Sequence, residues 1–160
     1  MHPTRNDLSE ATRSRICELL NARLADAIDL GLEAKQAHWN VKGPQFIALH
    51  ELFDQVHAVV VGHVDLLAER AVQLGGTAEG SLAVVAKRST LPRTPGGLVD
   101  GAAHASALSD ALAAAAKQTR AAIDAAARLE DAATADLFTE IARDLDKQLW
   151  FVEAHLHGKS

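Results

Sequence analysis

The sequence has no tyrosine, and its two Trp and four Phe make up only 4% of 160 positions. Strand-built sandwiches and barrels draw on aromatic and β-branched residues, so this scarcity argues against them. Only one cysteine is present, Cys17. A single thiol excludes an intrachain disulfide framework and any cysteine-rich zinc or iron–sulfur centre, and it suits a reducing cytoplasm. Cys17 stands beside Ile16 near the start of a helical pattern and reads as a small apolar filler. Proline occurs four times, at positions 3, 44, 92 and 95, which leaves long stretches free of a helix breaker. No run of 18 apolar residues is present, so no segment reads as membrane-spanning. The opening MHPTRNDLSEATR lacks the apolar core of a signal peptide. An excess of positive charge is missing too. The formal net charge is −5, which argues against a general polyanion binder.

Alanine, leucine and valine are abundant, and they recur at helical spacing. The length suits one domain across 1–160 with a proper core, flanked by short tails at 1–6 and 158–160. Asp7 with Glu10 three residues on resembles a capping box. The first helix then runs to about Trp39, with Ile16, Leu19, Leu20, Leu24, Ala27 and Ile28 on its apolar face. A second helix spans about 45–74. Pro44 suits its first turn, and Gly75-Gly76 suits its stop. Between Gly75 and Gly101 the pattern breaks, apart from two possible helical turns over Ser81–Arg88. This segment is too long for a tight hairpin and suits a crossover along a bundle, with Lys87, Arg88 and Arg93 as solvated charges. An Ala-rich third long helix spans about 102–129. After a break at Glu130–Ala133, a fourth spans about 134–156, with Leu137, Ile141, Leu145, Leu149 and Val152 on one stripe and Trp150 and Phe151 adding packing surface. No strand pattern competes, and no repeat of 20–50 residues is visible.

The chemistry lies between Lys35 and Gly76. His50 and Asp54 are four apart, as are Asp65 and Glu69, so each pair shares a helix face. His38 continues the inward row of Leu20, Leu24, Ala27, Gly31 and Ala34, and the turn Asn40–Pro44 folds the second helix back beside it. His50 and Asp65 are roughly 22 Å apart along one helix. A metal–ligand bond is about 2 Å long, so one helix cannot close both pairs on one metal. Two antiparallel copies can. His50 and Glu69 are equidistant from the midpoint between Val59 and Val60, and so are Asp54 and Asp65. A twofold axis there brings His50 to Glu69 of the partner and Asp54 to Asp65 of the partner, twice over, with small residues Ala58 and Gly62 allowing close approach. Spacing alone leaves two readings open: a metal site shared by a homodimer, or a satisfied core histidine beside ordinary hydrogen-bonded pairs. Imidazole and carboxylate without thiolate suit iron or manganese, with zinc able to compete. The Glu-x-x-His motif of intrachain di-iron bundles is absent. His57 and His63 read as interface or surface histidines. His155 and His157 are two apart, share no helix face and read as non-ligands.

KQAHWN, GPQFIALHELFD and HVDLLAERAVQLGG, with RDLDKQLWFVEAHL near the C-terminus, resemble the signature of the Dps miniferritins, the DNA-binding proteins from starved cells. The resemblance covers about residues 8–157. It implies an all-α, ferritin-like four-helix bundle with a short extra helix in the long crossover between the second and third long helices. It also implies a ferroxidase site across the dimer twofold, made by His38, His50 and Asp54 of one chain with Asp65 and Glu69 of the other. The implied activity is oxidation of Fe(II), preferably by hydrogen peroxide rather than oxygen, with ferric mineral stored inside a shell of twelve subunits. Trp39, beside His38, is then either a packing anchor or an electron donor. Asp131, Asp136 and Glu140 match the acidic residues that line the family's threefold pore, or else form a solvated face. Family members that bind DNA directly often carry a Lys-rich tail. Here residues 1–8 have Arg5 and no Lys, and the other end offers Lys159. Direct DNA contact, and a place in the nucleoid, is therefore the weaker expectation; a scaffold without metal chemistry is weaker still.

Overall fold

The computed structural model describes residues 1–157; the expected tail at 158–160 lies outside the described residues. Five helices follow in order: α1 (Glu10–Asn40), α2 (Phe46–Gln73), α3 (Leu82–Arg88), α4 (Gly101–Arg128) and α5 (Ala132–Glu153). Among the described residues there is no strand, only one isolated bridge between Lys42 and Asp100. No helix among them is long and apolar enough to cross a membrane.

α1 and α2 form one hairpin and α4 and α5 a second, packed on each other. Lys42 N–H donates to the Val99 carbonyl at 3.0 Å, so the start of α4 lies beside the start of α2. The connection from α2 to α4 must therefore return along the whole bundle, and α3 is the helical part of that return. It packs on α1. Three α1 carboxylates at 3–4 residue steps fasten the crossover. Asp26 accepts from Thr90 N–H at 2.8 Å, Asp29 from the Ser89 hydroxyl at 2.5 Å, and Glu33 from the Thr94 hydroxyl.

Phe53 and Phe138 are fully buried, with Ile16, Leu20, Leu24, Leu30, Leu49, Leu67 and Leu112 around them. α4 supplies mainly alanine to this core, at Ala105, Ala111, Ala115, Ala116, Ala122 and Ala126. Small side chains bring the α4 backbone close to α5, where the large residues sit.

The helix ends differ from expectation in three places. Ser9, not Asp7, caps α1: its hydroxyl accepts from Thr12 N–H at 3.1 Å. Pro44 precedes α2 instead of lying in its first turn. α5 begins two residues early, because the Asp131 carboxylate accepts from Thr134 N–H at 3.0 Å and so caps the helix. The stop at Gly75-Gly76 holds. Gly75 has φ +81°, and a Cβ on Gly76 would meet the Cys17 Sγ at 2.5 Å. The N-terminal residues are docked there as well, since His2 N–H donates to the Gly75 carbonyl at 2.6 Å and Arg13 to the Leu74 carbonyl at 2.9 Å. Cys17 is buried, as its filler reading required; burial pushes its thiol up, against the opposing charge of Arg13.

Candidate metal centre

The α1–α2 hairpin sets three side chains of α2 against three positions of α1. His50 faces His38, Asp54 faces Lys35, and His57 faces Gly31. The steps of 7, 4 and 3 residues on each helix return to one face, so the contacts form a ladder.

The first rung is reciprocal. The His38 and His50 rings stack with centroids 3.7 Å apart. His38 Nδ1–H donates to the His50 carbonyl at 2.7 Å, and His50 Nδ1–H donates to the His38 carbonyl at 2.8 Å. A carbonyl can only accept, so each bond places the proton on Nδ1. The Nδ1–H tautomer leaves the Nε2 lone pair of each ring free, which is how a metal-binding histidine is usually oriented from behind. At the next rung Lys35 Nζ pairs with Asp54 Oδ1. The hydrogen bond from Lys35 holds the Asp54 carboxyl below the usual carboxylate range. The carboxylate is therefore ionised, with Oδ1 paired to Lys35 and no hydrogen bond among the described residues on Oδ2.

Asp65 and Glu69 stand exposed on α2, roughly 22 Å and roughly 28 Å along the helix axis from His50. Among the described residues, no three His, Cys, Asp or Glu side chains of one chain gather to hold a metal ion. A single chain thus presents two separate half-sets of nitrogen and oxygen donors. The surface between them is apolar and small. Ile47, Ala58, Val61 and Val72 are exposed along it, and a Cβ on Gly62 would meet nothing within 4 Å. Nothing inside the chain requires glycine at that position.

Other expected sites are placed differently. Trp39 is 67% exposed, so it does not anchor the hairpin core. His63 is buried rather than at the surface, and its Nε2 lies 3.2 Å from an Asp144 carboxylate oxygen on α5. Asp136 and Glu140 are exposed one turn apart on α5, as a pore lining would need. Asp131 is not: it is 3% exposed and held by Arg70 at 3.0 and 3.2 Å and by the Thr134 hydroxyl at 2.5 Å. Burial pushes this carboxyl up, but the Thr134 hydrogen bonds and Arg70 outweigh it, and the net shift is downward. Its charge is met inside the chain, by Arg70 and the Thr134 hydroxyl. Sequence reading missed Lys35, although it stands three residues before His38 on the same face. It also missed His104, which ties the start of α4 to the Leu98 carbonyl at 3.0 Å.

Comparisons with known proteins agree with this architecture. The ferritin-like domain model matches residues 17–158. The DNA protection during starvation protein of Agrobacterium fabrum is 48% identical over 159 residues, covering 99% of this chain and 98% of that protein. The structure of Dps from Mycobacterium smegmatis superposes with a TM-score of 0.93 at 33% identity, covering all of this chain and 91% of the other. DpsA14 from Streptomyces coelicolor superposes with a TM-score of 0.92 at 35% identity, covering 98% and 92%. A four-helix bundle with its short helix in the crossover, the histidine hairpin and these likenesses along the whole chain lead to one conclusion: the protein belongs to the Dps family of ferritin-like proteins, whose general role is iron storage and oxidative protection.

Proposed function

We propose that this protein is a ferroxidase and iron store. Two chains meet in antiparallel fashion along α2, with the twofold axis between Val59 and Val60. His38, His50 and Asp54 of one chain then join the partner's Asp65 and the partner's Glu69 around paired iron ions, giving two sites per dimer. The observation that carries the reading is the reciprocal His38–His50 bonding, which leaves two Nε2 lone pairs free. The exposed apolar stripe of α2 supports it, because Ile47 then falls opposite the partner's Val72, and Ala58 opposite the partner's Val61. Nitrogen and carboxylate donors suit iron, and zinc or manganese can compete for them.

Iron is here the substrate. Two Fe(II) ions lose one electron each. One hydrogen peroxide takes both electrons and two protons and leaves as two waters, so no hydroxyl radical is released. The chain's part is to hold two irons at once. The imidazoles are fixed from behind by carbonyls, and Asp54 is kept charged. Twelve subunits form the cytoplasmic shell that takes the ferric product, and Asp136 and Glu140 attract incoming iron at a threefold pore. DNA is protected by removal of iron and peroxide rather than by contact. A shell of twelve would carry roughly −60 formal charge, which repels phosphate.

The test mixes two inactive variants, His50→Ala and Asp65→Ala. A mixed dimer has one site with both defects and one intact site. Half of randomly formed dimers are mixed, so about a quarter of wild-type sites should return. No recovered ferroxidation, with mixed assembly verified by mass spectrometry, refutes ligands drawn from two chains.

A further inference from the structure

His57 belongs to the same ladder as His50, two helical turns along α2. Its Nδ1 lies 2.8 Å from the Gly31 carbonyl. That oxygen can only accept, so Nδ1 carries the proton and the Nε2 lone pair is free. This is the orientation found at His38 and His50, and it fits a ligand better than the interface or surface residue expected from sequence. The ring is half-buried and therefore held. It lies within electrostatic reach of Asp54, as His38 does. Lys35 occupies only Oδ1 of Asp54, and no hydrogen bond among the described residues engages Oδ2.

His57 cannot complete the paired iron site itself. His50 and His57 are anchored to the carbonyls of His38 and Gly31, which are seven residues apart on α1. The two rings are thus held about 10 Å apart along the helices, too far for one ion to bond both at about 2 Å. His57 must serve a neighbouring position. Under the twofold relation it falls opposite the partner's Gly62, which has no side chain to fill the space, and near the partner's Asp65.

We propose that His57 Nε2 holds an additional divalent metal ion beside the paired iron site, with Asp54 Oδ2 and the partner's Asp65 shared between that ion and the iron site. This rests on the shared-site reading above. The ion is a divalent cation awaiting transfer, in a place that the two-chain assembly alone completes.

Anaerobic titration calorimetry with Co(II) on the assembled protein tests this without turnover. His57→Asn is the informative variant, since the amide N–H can keep the bond to the Gly31 carbonyl while the Nε2 ligand is lost. The expected result is one Co(II) fewer per chain in both His57→Asn and His57→Ala, with the assembly unchanged by size-exclusion chromatography. Unchanged stoichiometry in His57→Asn overturns the assignment, including the case where only His57→Ala loses metal, which would reduce His57 to a bond with Gly31. His50→Ala separates the two readings. If it loses Co(II) and His57→Asn does not, only the additional position fails; if neither loses any, the shared site fails with it.

Discussion

Asp131→Asn tests whether this carboxylate acts inside the bundle or at a pore. Asparagine keeps the shape and an oxygen for the α5 cap, but it removes the charge facing Arg70 and turns an amide toward donors. Breaking a buried ion pair costs about 3–5 kcal/mol when the remaining charge is stranded. Asp131 is 3% exposed, but the Arg70 side chain is 16% exposed and can partly rehydrate. That places the cost at the lower end or under it, about 2–3 kcal/mol. For a chain of this size the melting temperature should fall by about 4–12 °C. The pH dependence has a definite sign. The Asp131 carboxyl is lowered in the folded chain relative to its ordinary value of 3.8. Its contribution is therefore fully present above that value and is lost as pH falls through the folded one. Thermal unfolding of the assembled wild type and variant at pH 7, repeated at steps down to pH 3, should show a gap that closes on acidification. A variant as stable as wild type at pH 7 but slower in taking up iron would refute the internal role and restore Asp131 to the pore.

Three further outcomes are expected. Asp136→Asn with Glu140→Gln should slow iron uptake into the shell most at low salt and little at high salt, because attraction by exposed carboxylates is screened; stopped-flow absorbance would show it, and a salt-independent rate equal to wild type would remove these residues from the route. Peroxide titrated into anaerobic Fe(II)-loaded protein should oxidise two Fe(II) per molecule with little hydroxyl radical in spin trapping. One-to-one consumption with abundant radical would mean iron reacting free in solution. The assembled protein should not shift duplex DNA in gels at neutral pH and near-physiological salt with a chelator present, because Arg5 is the sole Lys or Arg in the first eight residues; tight binding there would restore protection by direct contact.

Periodicity in the sequence determined the long helices, the crossover and the bundle, because apolar spacing and Gly75-Gly76 report on neighbours three or four residues away. It also determined that one α2 cannot close His50, Asp54, Asp65 and Glu69 on one metal, a consequence of helix rise alone. The resemblance to a family extended this to a ligand set. Tertiary structure alone decided what each polar side chain meets. Arg70 and Asp131 are 61 residues apart in sequence, and His63 and Asp144 are 81 apart. No local pattern links such pairs, so Asp131 read as a pore or solvated-face acid and His63 as an interface or surface imidazole. Trp39, beside His38 at a helix end, read as a packing anchor or an electron donor, and the hairpin turns it outward. The free nitrogen of each imidazole was also invisible in sequence, since it depends on which carbonyl of α1 or α2 lies behind the ring. Backbone geometry across the hairpin chose Nδ1 as the proton carrier at His38, His50 and His57, and left Nε2 of each ring outside those bonds.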